Sequence, residues 1–186
     1  MREIIYLVHT SLDGFTEGPD GEFDWATMGP ELSDYSQELC TGIGAFAYGR
    51  RVWDMMSGYW PNAEATSDHP HDLRFAPVWR ETPKIVFSRT LEKADWNTRV
   101  ISGDLTEEVT ALKREPGKNI LLTGGAELPA ELGRLGLIDE YQIVVQPVVL
   151  GGGKRPFAAG AARLGLELVE TRTFDAQAVL LRYRPV

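Results

Sequence analysis

Three short stretches of this 186-residue chain have the residue types and spacing to hold an anion. The first is Thr123-Gly124-Gly125-Ala126-Glu127, which follows the apolar run Ile120-Leu121-Leu122 and leads into a helical pattern with Pro129 near its start. Paired glycines let the backbone approach a ligand closely and adopt φ > 0. A helix that follows them offers free N–H groups and the positive end of its dipole, a natural seat for phosphate. An ordinary tight turn between strand and helix has the same composition, so both readings stand. The second stretch is Gly49-Arg50-Arg51, again between an apolar run and a helical pattern. The dipole opposes arginine at a helix start; a bound anion would offset this, and solvated surface charge is the alternative. The third is Ser88-Arg89-Thr90, at the end of the run KIVFS.

Several other chemistries drop out. There is no G-x-x-x-x-G-K-[ST], so a P-loop is not expected. No G-x-G-x-x-G follows the first apolar run, and the residue 20 positions past Gly124 is Val144 rather than an acid, which removes the ribose anchor of a Rossmann fingerprint. A net charge of −8 argues against nucleic-acid binding, although a local arginine cluster can still hold a small anion. Cys40 is the only cysteine, and His9, His69 and His71 lack metal-ligand spacing, so neither a disulfide framework nor a metal site is expected. The apolar run at the N-terminus is too short for a signal peptide or a membrane span. These features suggest one domain over residues 1–186 in a reducing, cytoplasmic compartment.

The elements that must position these stretches can be read from periodicity. Glu3 to His9 is nearly continuously apolar, as expected of a strand buried on both faces of a parallel sheet. A long polar segment follows to about Gly29, with Phe23 and Trp25 either tucked under it or lining a pocket. Pro30 to Thr41 has a helical stripe of Leu32, Tyr35 and Leu39. Strands are expected at Ala45–Tyr48, Lys84–Ser88, Arg99–Ser102 and near Ile120, with a helix after Gly103 capped by Asp104 or Thr106. The region 58–82 shows only loop and short helix. The apolar run Tyr141–Leu150 is broken by Pro147, and Leu166–Phe174 and Ala178–Tyr183 read as a hairpin about Asp175-Ala176-Gln177. The result is an α/β domain with a mostly parallel sheet and an antiparallel C-terminal edge. Ligands gather at the carboxyl ends of such strands, and five of those ends carry Gly, Ser, Thr or Arg.

Taken together, these pieces resemble the dihydrofolate reductase-like superfamily, and within it the RibD C-terminal domain family with its small stand-alone bacterial relatives. The carriers are SLDGF from Ser11, FDW from Phe23, YGRRVWD from Tyr48, FSRT from Phe87, LLTGGAEL from Leu121 and QPVVLGGGKRPF from Gln146. The resemblance implies a three-layer dihydrofolate reductase-like fold and NADPH as cofactor. It implies that Gly49, Arg50 and Arg51 sit by the cofactor phosphates and that Ser88 and Arg89 flank the adenosine end. It further implies that Thr123, Gly124, Gly125, Ala126 and Glu127 wrap the pyrophosphate, while Leu12 and Gly14 lie over the nicotinamide. Hydride transfer also needs a proton or a stabilised charge. Asp34 lies one residue out of register with the acid on the first helix of dihydrofolate reductases, and Asp13 in SLDG is the other candidate. A surface position and an Asx-type turn, respectively, are the structural alternatives.

Trp25, Trp53 and Gln146 are candidates for the substrate side, with core packing the alternative for both tryptophans. Lys154 and Arg155 could receive a substrate phosphate or form a solvated turn. No H-x-E with P-C-x-x-C occurs, so a bifunctional deaminase-reductase is not expected. The expected function is NADPH-dependent reduction of a pterin-like, pyrimidine or carbonyl substrate. The rival is a dinucleotide-binding protein that has lost the chemistry. A homodimer through the Tyr141–Leu150 run and the hairpin is implied by relatives, though a buried strand would read the same way.

Overall fold

A computed structural model of the chain describes residues 1–157, 163–175 and 177–186. Among these residues eight strands form one sheet: β1 (Ile4–Thr10), β2 (Ile43–Gly49), β3 (Lys84–Phe87), β4 (Thr98–Ile101), β5 (Asn119–Thr123), β6 (Glu140–Val145), β7 (Leu166–Phe174) and β8 (Ala178–Pro185). Their order across the sheet is β4-β3-β2-β5-β1-β6-β8-β7. The six strands from β4 to β6 pair in parallel, and the hairpin β7–β8 adds an antiparallel edge to β6. Among the described residues six α-helices accompany them: α1 (Pro30–Thr41), α2 (Arg50–Tyr59), α3 (Ala63–Thr66), α4 (Pro70–Glu81), α5 (Leu105–Arg114) and α6 (Glu127–Arg134).

Alternation within the strands produces the three layers. From β1, Ile4, Tyr6 and Val8 pack with Val109 and Leu112 of α5 and Leu132 of α6. Ile5 faces the other way, into a cluster with Phe46, Tyr48, Trp53 of α2 and Trp79 of α4. Beside it, Leu32 and Tyr35 of α1 pack on Val144, Phe174 and Leu180. Both faces of the central strands are therefore covered, which explains why they read as unbroken apolar runs.

The order of strands fixes where a ligand can enter. The chain steps outward from β2 to β3 and β4, then returns so that β5 fills the place between β1 and β2, and β6 takes the other flank of β1. The direction of growth reverses around β5, whose carboxyl end is Thr123. A reversal of this kind opens a crevice at the strand ends.

Two local readings change. Region 58–82 contains a full helix, α4, hidden in the sequence by Pro77 within it. An interior proline forfeits an N–H and crowds the preceding turn, but burial of Ala76 and Trp79 against the sheet holds the helix together. The cap of α5 is Asp104, whose carboxylate accepts from the N–H groups of Thr106 at 2.9 Å and Glu107 at 3.1 Å. The hairpin forms as expected, although Ala176 of its turn lies outside the described residues. Glu140, buried at 1% exposure, ties this edge to β6 by accepting from Gln142 Nε2 at 2.6 Å, Arg182 Nε at 3.0 Å and Arg184 Nε at 3.1 Å.

Candidate functional site

The turn after β5 and the turn after β2 lie side by side, since Ala47 pairs with Leu122 two residues before each strand ends or turns. Gly124 and Gly125 have φ of +62° and +69°, which glycine adopts without strain. Tyr6 pins the turn by donating its hydroxyl to the Gly125 carbonyl at 2.8 Å, and Gly124 donates to the Leu7 carbonyl at 3.0 Å. A Cβ on Gly125 would sit 3.0 Å from Val52 Cγ2, so the first turn of α2 closes against this loop. A Cβ on Gly49 would meet Leu128 Cβ of α6 at 3.5 Å. The amino ends of α2 and α6 thus touch.

Neither of these two helices has a side-chain acceptor at its start. Three of the other helix starts are satisfied, α5 by Asp104, α4 by His69 and α1 by Asp175 from the hairpin, while the single turn α3 also lacks a side-chain cap. The N–H groups of Ala126, Glu127 and Leu128 meet no acceptor among the described residues. Thr123 Oγ1 is sealed from solvent without a hydrogen-bond partner; the Tyr48 hydroxyl comes near it but does not satisfy it. Orphaned donors beside a buried orphaned hydroxyl fit an anionic group of a nucleotide.

The charges around this cradle are held by one another. Arg50 Nε bonds both oxygens of Asp54, at 2.9 and 2.8 Å. Arg51 reaches Glu17 at 3.3 Å, and Lys154 reaches Glu127 at 2.7 Å. Glu17 and Lys154 themselves face each other in a short antiparallel bridge, Lys154 N–H to Glu17 O at 2.9 Å and Thr16 N–H to Lys154 O at 2.7 Å. Two loops therefore form a double strap fastened to the starts of α2 and α6. Arg89 is exposed and pairs with no carboxylate among the described residues, while Ser88 Oγ shapes its turn by accepting from Thr90 N–H at 3.2 Å and Leu91 N–H at 3.1 Å.

Asp13 is engaged in structure rather than poised as an acid. Its carboxylate accepts from Leu150 N–H at 3.1 Å and Gly151 N–H at 2.8 Å, tying the first loop to the glycine loop. The Ser11 hydroxyl first, with those backbone N–H groups adding to it, outweighs the opposing effect of burial and holds its carboxyl down at about 2. Arg155 lies over the Phe15 ring at 4.4 Å and donates to the Asp13 carbonyl at 3.2 Å. Leu12 is held by its N–H bond to the Val148 carbonyl at 2.7 Å, and its side chain is 69% exposed. Gly14 keeps φ at +85° where Arg155 passes.

Three other readings of the sequence change. Asp34 points outward from α1 and pairs with Arg74 at 2.7 Å, because the helix turns Leu32, Ser33 and Tyr35 inward. It is no site acid. Trp53 is 5% exposed and stacks near Trp79 with ring centroids 6.0 Å apart, so it belongs to the core. Gln146 is 1% exposed and cannot touch a substrate directly. Its Oε1 accepts from Thr27 N–H at 3.4 Å and Thr27 Oγ1 at 3.1 Å, and its Nε2 donates to the Thr27 carbonyl at 3.1 Å and to His9 Nδ1 at 3.0 Å. Gln146 positions the 23–29 segment and His9.

His9 was outside every motif in the sequence. Its only signal was a polar ring at the end of a buried strand. Burial first, then the neighbouring His71, lower its pKa to about 4, so the ring is neutral at physiological pH. Phe23 stands edge-on to it at 6.2 Å, and Trp25, half-buried, packs on Phe23 at 5.2 Å. Thr27 also borders a cleft of about 570 Å³ between the start of α1, the start of α4 and the hairpin turn, lined by Met28, Leu32, His69 and Phe174.

Comparison with known proteins gives this geometry a family. The model of the RibD C-terminal domain matches residues 2–180. The chain belongs to the RibD C-terminal domain family. It is 38% identical over 182 residues to YyaP of Bacillus subtilis strain 168, covering 98% of this chain and 94% of that protein, and 30% identical over 183 residues to YwjB of the same organism, covering 98% and 97%; both are uncharacterized proteins. Among solved structures, a putative riboflavin biosynthesis protein from Shewanella sp. PV-4 superposes with a TM-score of 0.78 at 21% identity, covering 99% of each chain. A dihydrofolate reductase from Enterococcus faecalis complexed with NADP(H) superposes at 0.66 and 14% identity, covering 98% of this chain and 96% of that one. These likenesses establish a dihydrofolate reductase-like fold for this RibD C-terminal domain.

Proposed function

We propose that this RibD C-terminal domain protein is an NADPH-dependent reductase of a small carbonyl or heterocyclic substrate. The observation that carries the reading is the contact between two uncapped helix starts around Gly49 and Gly125, with the orphaned Thr123 hydroxyl beside them. The backbone of Thr123 to Glu127 would hold the diphosphate, with Gly49, Arg50 and Arg51 beside it. Ser88 and Arg89 would take the adenosine end, where a guanidinium that pairs with no carboxylate among the described residues suits a 2′-phosphate. Leu12 and Gly14 would shield the nicotinamide, which when bound supplies a hydride. The NADP(H) complex of the Enterococcus faecalis enzyme supports the same reading.

Thermal melts with NADPH and NADH test it. A ligand at about 100 times its dissociation constant stabilises by roughly 2.7 kcal/mol, about 5–10 °C for a domain of this size. NADPH should raise the midpoint well above NADH, and Arg89→Ala should remove the difference. No shift with either nucleotide would sink the reading.

A second reading, a dinucleotide-binding protein without chemistry, is favoured by the placement of Asp13 and Asp34 away from any proton-transfer role. Oxidation of NADPH with dihydrofolate, pterins or quinones separates the two. We also propose a cytoplasmic homodimer joined through the C-terminal hairpin, where Leu166, Leu168 and Val169 are 40%, 52% and 47% exposed.

A further inference from the structure

We propose that the imidazole of His9 is the hydrogen-bond donor to the substrate, and that the substrate presents a neutral carbonyl oxygen to it. The inference rests on the reductase reading and narrows its substrate class. It begins with Gln146, whose amide is fully engaged. Because Oε1 accepts from the Thr27 N–H, the amide nitrogen must lie on the other side, where it donates to His9 Nδ1. A ring nitrogen that accepts a hydrogen bond carries no proton, so neutral His9 holds its proton on Nε2. That nitrogen has no partner among the described residues. His9 itself is partly exposed at the end of β1, whereas Gln146 beside it is sealed.

The donor is also in the right place. His9 follows Leu7 by two residues on the same face of β1, and Leu7 accepts the N–H of Gly124 from the cradle. That face is the one on which Leu7 and Val52 of α2 pack. Phe23, 43% exposed, meets the imidazole edge-on and offers an apolar surface for a flat substrate. The titratable group acting on the ring is His71 of α4, buried beside Ser33 Oγ at 3.0 Å, with its pKa also lowered by burial. A neutral donor complements a carbonyl oxygen. A protonated heterocycle would need a carboxylate here; neither Asp13 nor Asp34 supplies it, since both are engaged elsewhere, and the exposed Asp24 beside Phe23 makes no hydrogen bond to His9. When the carbonyl carbon receives the hydride with its electron pair, the C–O π pair moves to oxygen, where the His9 N–H steadies it. Water supplies the proton that completes the hydroxyl, and NADP⁺ remains. His9 keeps its own proton, since no acid stands at Nδ1 to replace it.

Two measurements test this without relying on turnover. Nitrogen-15 NMR of the histidine-labelled protein near neutral pH should show His9 protonated on Nε2 alone; an Nδ1–H or cationic ring overturns the proposal. Second, melts of the NADP⁺-saturated protein are taken with 1,4-naphthoquinone and with 2,4-diaminopyrimidine. Naphthoquinone should raise the midpoint, His9→Phe should weaken its binding about tenfold, and His9→Gln, which keeps a donor, should restore most of it. NADP⁺ binding should be the same in all three proteins. Equal naphthoquinone binding in His9→Phe removes the role of His9. Tighter binding of the diaminopyrimidine, or no shift with the quinone, removes the carbonyl class while NADP⁺ binding leaves the reductase reading in place. Failure to bind NADP⁺ or NADPH removes both.

Discussion

The carboxylate of Asp175 accepts the backbone N–H of Glu31 at 3.0 Å, and the Glu31 carboxylate accepts the backbone N–H of Asp175 in return. Asp175 also takes the Leu32 N–H at 3.3 Å. A capping box is thereby split between two elements 144 residues apart. Gly29 precedes α1 with no side chain to cap it, and the Asp175 carboxylate occupies the space where a Cβ would lie. The hairpin turn, a helix start and the cleft at Thr27 are joined by this one exchange.

Asp175→Ala should therefore lower stability by about 1 kcal/mol, the usual value of a helix cap. The thermal midpoint should fall by roughly 2–4 °C. Asp175→Asn, which keeps an acceptor, should fall less. Equal midpoints for all three proteins would show that the exchange contributes nothing.

The Glu17–Arg51 pair predicts the opposite sign for ligand binding. Glu17→Gln frees Arg51, which is 67% exposed, to face a phosphate. An exposed pair contributes about 0.2–1 kcal/mol, so NADPH affinity at low salt should rise by a factor of about 1.4 to 5. The gain should fade as salt screens the site. A titration followed by nucleotide fluorescence reads it, and weaker binding would mean that Glu17 helps shape the cradle.

Acid should weaken the fold over two pH ranges. His9 has a folded pKa of about 4 against an ordinary 6.5, so the unfolded chain binds more protons between these values. Its contribution is complete above about pH 6.5 and is lost as pH falls toward 4; His71, also lowered by burial, acts in the same direction. Asp13, at about 2 against 3.8, adds stability that is present above 3.8 and lost as pH falls toward 2. Urea denaturation across pH should show both slopes. His9→Phe should flatten the upper one in part, and Asp13→Asn the lower one.

The exposed edge strand β7 bears on association. An apolar edge of this kind invites pairing with another chain. Sedimentation at micromolar concentration should give a dimer, and Leu168→Glu should give a monomer. A monomeric parent protein would dispose of the interface.

The local elements were legible in the residues because their determinants are local. Continuous apolar runs marked β1 and β5, a stripe of Leu32, Tyr35 and Leu39 marked α1, and glycine pairs between strand and helix marked the turns. The motifs SLDG, YGRR and LTGGAEL, in order, identified the family from the chain alone. Tertiary structure decided which side chains remain available for chemistry. Whether Asp13 is a free acid depends on Gly151, and whether His9 donates or accepts depends on Gln146, each more than a hundred positions away and brought near by parallel pairing of β1 with β6. Whether Asp34 faces the site depends on a rotation of about 100° per residue around α1, so an acid one position out of register points to Arg74 and solvent. Periodicity places a residue on an element; only packing decides what that residue meets.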